Sequence, residues 1–267
     1  MINIKENILE RINDWKDESI YILTDFDKTI TDANSVNSWA ILSKYNLLPQ
    51  EYIEESNRDF NYYRPIELDE TMEYDKKYKI INEWWTSHIG QLVKYKLSLD
   101  TVNKAVSNPN IMSFRNGAKE FLNNMYKRNI PVIIISAGIG NFIENFLKIN
   151  NCYYDNIYIY SNVIDFKDGY AIGIKDEVIN SMNKNLVSLP DEIKNKIKNR
   201  NNIILLGDSL NDLKMIDEDK RVDALKIGFL EDNVEENKKY FIKAFDIVCT
   251  DNATFDELNK KINILKK

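Results

Sequence analysis

The 267-residue sequence predicts an α/β fold, a doubly wound parallel sheet with a helical segment inserted after the first strand. Three observations predict it. Five short apolar runs end in small or acidic residues: SIYILTDFD (19–27), PVIIISAG (131–138), NIILLGDS (202–209), ALKIGFL (224–230) and FDIVCTD (245–251). Strands apolar on nearly every residue suit a parallel sheet covered on both faces. Helical patterns such as GAKEFLNNMYKRN (117–129) and NDLKMIDED (211–219) separate them, an alternation that reads as doubly wound. From about Ser35 to Asn110 the periodicity is helical alone.

Taken in order, Ile4, Ile8, Ile12 and Trp15 fall at helical spacing and predict an amphipathic lead-in helix over 3–16. The first strand follows at 19–27. The stretches SVNSWAILSKYNLL, QEYIEESNRDFNYY and TMEYDKKYKIINEWWTSHIGQLVKYKL then predict a smaller helical lobe above that strand's end. The expected organisation is a core of 1–34 and 111–267 with an inserted helical domain at 35–110. Residues 153–175 predict a strand followed by a hairpin turning at Asp168-Gly169. Neither repeats nor low-complexity segments interrupt the pattern.

With 43% hydrophobic residues the chain has enough apolar surface for a large core. A net charge of −6 argues against a nucleic-acid polymer as partner, yet leaves room for a small anionic substrate held by local cations or amides. Two distant cysteines, Cys152 and Cys249, form neither a disulfide framework nor a zinc site, which points to a reducing compartment. No signal peptide and no membrane-length apolar run are present, so a soluble, cytoplasmic and monomeric protein is expected. His88 is the sole histidine, so proton chemistry must run on carboxylates, lysines or tyrosines.

Asp25 and Asp27 stand two apart at the end of the first strand, on the face and at the end where open α/β sheets bind ligands. Alone, such a pair also reads as a solvated acidic turn, or as a metal and sugar-nucleotide site of glycosyltransferase type. The other strand ends separate these readings. Ser136, Ala137 and Gly138 are small residues whose amides suit an anion at a helix start, although they also suit an ordinary glycine turn. A dinucleotide loop at Gly138-Ile139-Gly140 fails because Ile143 stands where glycine is needed. Asp208 directly follows an apolar strand, while Asp212 can also be half of a capping box with Ser209. Carboxylates converging at strand ends repel one another, and an oxygen-bound Mg²⁺ with a lysine such as Lys184 would relieve that.

In this order, DFDKTIT, the strand ending in Ser136, Lys184 and GDSLND resemble the haloacid-dehalogenase superfamily of phosphohydrolases. YYRPIELD, EWWTSH, VIIISAGIGNF, YSNVIDFKDG, NKN, IILLGDSLNDLKM and LKIGFLEDNVEE narrow the resemblance to the cytosolic pyrimidine 5′-nucleotidases of type III, over most of the chain. The resemblance implies Asp25 as nucleophile and Asp27 as proton donor and later base. It implies Mg²⁺ held by Asp25, the Asp27 carbonyl and Asp208, with Asp212 orienting that shell. Ser136 and Lys184, with amides around Thr29, Ala137 and Gly138, would bind phosphoryl oxygens. The insertion would be a cap, with Glu67 and Trp85 at the base of a nucleoside 5′-monophosphate such as UMP, CMP or 7-methyl-GMP. Trp84 and Trp85, about 100° apart on a helix, would not both stack on it, and His88 falls near the same face.

Departures are Lys28 after DFD, where an apolar residue is common, and Asn211 in place of glycine. DANSVNSW is closer to phosphoserine-phosphatase-like members. They leave the chemistry standing and open the substrate. Two other readings remain: a phosphatase of the same mechanism acting on another small phosphomonoester such as phosphoserine, and a non-catalytic relative that binds a ligand.

Overall fold

A computed structural model describes residues 1–69, 71–221 and 223–262. The end of the expected core segment, 263–267, lies outside the described residues. The main sheet has seven strands: β1 (Ile2–Ile4), β2 (Ile20–Thr24), β3 (Val132–Ile139), β4 (Ile157–Asn162), β7 (Asn202–Gly207), β8 (Leu225–Phe229) and β9 (Ile247–Cys249). Their order is β1-β9-β8-β7-β2-β3-β4, and all neighbours run parallel except β1 against β9. The remaining strands, β5 (Ile164–Lys167) and β6 (Tyr170–Ile174), form a separate hairpin.

The unbroken apolar runs have the predicted cause. Ile20 and Ile22 of β2, Val132 and Ile134 of β3, and Ile204 and Leu206 of β7 belong to one core. The alternate residues Tyr21, Leu23, Ile133, Ile135, Ile203 and Leu205 belong to a second core on the other face. Every residue of β2 is therefore buried, as a two-sided parallel sheet requires. The first core is covered by α1 (Ile8–Ile12), α6 (Ala118–Lys127), α7 (Gly140–Ile149) and α10 (Phe255–Lys261), and the second includes Ile193 of α8 (Asp191–Ile197). A further helix, α9 (Val234–Ala244), packs Phe241 with Leu230, Phe245 and Val248.

Two expectations are corrected. The lead-in is not helical from residue 3: Ile2–Ile4 pair with Ile247–Cys249, and α1 holds only five residues. Ile2 and Ile4 are β-branched and find a ladder partner some 245 positions away, which no local pattern reveals. Residues 211–219 do not form an α-helix either; a 3₁₀ turn spans Leu210–Met215 and the chain becomes extended at Ile216. Asp217, Glu218 and Asp219 follow, and acidic residues oppose the negative C-terminal end of a helix.

Between β2 and β3 the chain forms α2 (Ile41–Lys44), α3 (Gln50–Leu68), α4 (Tyr74–Lys94) and α5 (Leu99–Val106) before α6. Glu73 starts α4 by accepting the amides of Asp75 and Lys76. The hairpin turns where expected, with φ of 52° at Asp168 and 83° at Gly169, and docks on this insertion. Leu99 N donates to Gly169 O at 3.0 Å and Ala171 N to Leu97 O at 2.8 Å.

Candidate active site

Sheet register assembles the site. Thr24, last in β2, pairs with Ile134 of β3 and Leu206 of β7. Two residues past each of these stand Phe26, Ser136 and Asp208, so Ser136 and Asp208 flank the Asp25–Asp27 loop. Because β2 stops at Thr24, strand alternation does not align the two aspartates; a tight turn does. The Phe26 carbonyl accepts the amides of Thr29, Ile30 and Thr31 at 3.3, 3.0 and 3.1 Å, and Lys28 takes a φ of 55°. Fully buried Arg115 clamps the turn from below, donating to the carbonyls of Lys28 and Thr29 and to the Glu231 carboxylate. Nothing in the motif-poor stretch SFRNG singled Arg115 out.

Lys184 stands at the centre. Its Nζ lies 3.1 Å from Asp25 Oδ1 and 2.6 Å from Asp212 Oδ1. Asp212 Oδ2 accepts the Ser209 amide at 2.9 Å, so this residue is both the capping box and a partner of Lys184. Carboxylate oxygens of Asp25, Asp208 and Asp212 lie within 4.8 Å of one another. Asp208 is half-buried, and among the described residues no donor reaches its carboxylate. Three carboxylates against one ammonium, in a site of oxygen donors, fit a hard divalent cation.

The electrostatics agree. Burial pushes Asp25 up to about 7, with Lys184 opposing and Asp212 and Asp27 adding to it. Burial pushes Asp27 up to about 6 against hydrogen bonds from Ser38. Asp208 is raised well above the usual range by burial, then by Asp212 and Asp25. Burial opposes the charge on Lys184, but Asp212 and Asp25 raise its pKa all the same.

Not every expected phosphate contact is in place. Thr29 is fully buried, its amide is engaged within the turn, and its Oγ1 has no partner among the described residues. Thr29 thus supports the loop from inside and has no free amide to offer an anion. The Gly138 amide donates to Ser136 Oγ at 3.0 Å, and the Ala137 carbonyl accepts from Asn162 Nδ2 at 2.8 Å. The Lys28 ammonium pairs with Asp232, and its charge acts on the neighbouring Asp27 carboxyl by lowering its pKa against the effect of burial.

On the insertion side, Trp85 is 7% exposed and stacks on Trp39 at 4.1 Å. Trp84 stacks instead on Tyr63 at 5.6 Å, so the two tryptophans do diverge. His88 lies stacked on Trp39 at 3.7 Å and bonded to the Tyr52 hydroxyl, a packed residue and no part of the acidic site. Glu67 is bound by Arg64 and by Ser181 Oγ, the latter at 2.6 Å and only three residues before Lys184. Glu67, Tyr74, Ser181, Met182, Asn211 and Lys214 line a cleft of about 420 Å³ between the insertion and the sheet. Sequence reasoning missed Ser38 and Trp39, which lie in a polar stretch without a motif.

Phosphoserine phosphatase in complex with its substrate has the same fold, with a TM-score of 0.57 at 20% identity over 93% of this chain and all of that one. At that identity the likeness shows the fold alone, the α/β fold of the haloacid-dehalogenase type. Cytosolic 5′-nucleotidase IIIB bound to cytidine is far more similar, with a TM-score of 0.85 at 28% identity over 99% of this chain and 93% of that one. The chain belongs to the pyrimidine 5′-nucleotidase (UMPH-1) family of phosphomonoester hydrolases, matching it over residues 22–266. Among curated relatives, the human 7-methylguanosine phosphate-specific 5′-nucleotidase is 33% identical over 91% of this chain and 83% of its own length. The Xenopus laevis form B of that enzyme is 33% identical over 94% and 89%.

Proposed function

We propose that this protein is a Mg²⁺-dependent 5′-nucleotidase that releases phosphate from pyrimidine and 7-methylguanosine 5′-monophosphates through an aspartyl-phosphate. The single observation that carries it is Lys184 bridging Asp25 and Asp212 beside Asp208. A nucleophile, a phosphate-binding cation and a metal-type carboxylate set then meet at the ends of adjacent strands.

In this reading Asp25 attacks phosphorus, and Asp27 protonates the departing nucleoside oxygen and then deprotonates water. Asp25, Asp208 and the Asp27 carbonyl would hold Mg²⁺, with Asp212 orienting Lys184 and the loop. The ion supplies charge stabilisation for the phosphoryl oxygens. Ser136 and Lys184 bind the phosphoryl group, with the backbone at Ala137 and with the Gly138 amide once it gives up its bond to Ser136 Oγ. Residues 35–110 act as a cap on a core of 1–34 and 111–267, closing over the buried Asp25, Ser136 and Asp212 to exclude water. Trp85 and Glu67 face the base; a methylated purine carries positive charge and gains from an aromatic ring and a carboxylate. All these groups come from one chain, which suits a monomer. Two buried free cysteines suit the cytoplasm, and among the described residues no helix is long and apolar enough to cross a membrane.

Phosphate release from CMP, UMP, 7-methyl-GMP, GMP and phosphoserine, with Mg²⁺ and with EDTA, tests it. Metal-dependent turnover led by CMP, UMP or 7-methyl-GMP is expected, falling at least ~10³-fold in Asp25→Asn. Phosphoserine as the best substrate would keep the mechanism and discard the nucleotide. Substantial turnover by Asp25→Asn would overturn the nucleophile.

A further inference from the structure

We infer that Ser38 is a positioning residue that sets the Asp27 carboxylate for proton transfer to the leaving oxygen. Its amide donates to Asp27 Oδ1 at 3.0 Å and its hydroxyl to Oδ2 at 2.8 Å. One residue therefore holds both oxygens, and the carboxylate is not free to rotate. Two bonds from one residue fix the plane of the carboxyl group, which suits a group that must meet one atom of the substrate.

Ser38 is itself fixed from two sides. A Cβ on Gly138 would come within 2.0 Å of Ser38 Oγ, so glycine at that strand end is what lets the serine reach Asp27. Next in the chain, Trp39 stacks on Trp85 at 4.1 Å and on His88 at 3.7 Å, both in α4. Ser38 is fully buried, which keeps its two donors away from bulk water. The proton donor is thus oriented by a residue anchored jointly to β3 and to the helical insertion. Ser38 does not line up with any expected motif, and it lies in the stretch DANSVNSW where the sequence departs from the family pattern.

The inference rests on the nucleotidase reading. In that reaction an Asp25 oxygen forms a bond to phosphorus. The bond from phosphorus to the 5′ oxygen breaks with its electron pair moving to oxygen, and the Asp27 carboxyl proton goes to that oxygen. Water then gives its proton to Asp27 and its oxygen to phosphorus, restoring the Asp25 carboxylate and releasing phosphate. Losing Ser38 should slow the first step only where the leaving group needs a proton.

The test compares kcat/KM for 7-methylguanosine 5′-monophosphate with that for its bridging 5′-thio analogue, whose thiolate leaves unprotonated. In Ser38→Ala the oxygen ester should lose roughly 10-fold or more and the thio ester less than about 3-fold, within the range general acids contribute. The ratio of the two does not depend on the fraction of protein that folds. Ser38→Thr, which keeps both donors, should retain the ratio of the unmodified protein. Equal losses on both esters, or no loss on either, would overturn the role of Ser38. Absence of turnover by the unmodified protein on both esters would instead overturn the nucleotidase reading itself.

Discussion

At Gly207, the last residue of β7, an added Cβ would lie 2.5 Å from the Asp212 Cβ and equally close to its carboxylate. The close approach lets Asp212 sit under Lys184 while its other oxygen caps the following turn. Gly207→Ala should therefore cost about 1–3 kcal/mol by overpacking and displace Lys184. Urea unfolding with a parallel activity assay checks this; a variant of unchanged stability and turnover would mean the contact is relieved without effect. His88 gives the opposite lesson. Burial pushes it down to about 3, so the imidazole stays neutral near pH 7 in its place between Trp39 and Tyr52.

At the scale of elements, α4 and the segment carrying Lys184 are tied to the sheet by polar and aromatic contacts. Asn162 at the end of β4 bonds both the amide and the carbonyl of Ile179, and Ser181 reaches across to Glu67 of α3. Lys184 is thereby held between a strand end and the helical insertion. On the other side of the site, Trp39 is the only described residue that stacks on both Trp85 and His88. Trp39→Ala should destabilise the protein by about 2–3 kcal/mol, below the figure for a fully enclosed tryptophan because Trp39 is half-buried. Hydrogen exchange should rise along α4 more than along β2. A uniform rise across both would show that the stack supports the whole fold and not the joint.

Over the whole molecule, the acidic site sets a link between pH, metal and stability. Asp25 and Asp27 stay protonated up to about 7 and about 6 when folded, whereas the same groups ionise near 3.8 when unfolded. Between about pH 4 and 7 the folded chain binds more protons, so their contribution to stability falls as pH rises through that window. A divalent cation favours the ionised carboxylates and offsets this loss. The rise in Tm on replacing EDTA with Mg²⁺ should thus be small at pH 5 and grow towards pH 8. A rise that is absent at pH 8, or equal at both, would refute metal binding by this cluster.

The sequence by itself determined the core strands and the residues at their ends. Two-sided burial demands continuous apolar runs, and a carboxylate or serine directly after such a run lands at the same edge of a parallel sheet. Asp25, Asp27, Ser136 and Asp208 were legible for that reason, as was the Asp168-Gly169 turn, whose backbone needs residues tolerant of positive φ. Only the tertiary structure decided the rest. Pairing of Ile2–Ile4 with β9, the grip of Arg115 on the turn, and the place of Ser38 against Gly138 join segments that are remote in sequence. Long-range contacts leave no local periodicity, so a buried arginine and a lone serine look like any other polar residue until the chain brings their partners to them.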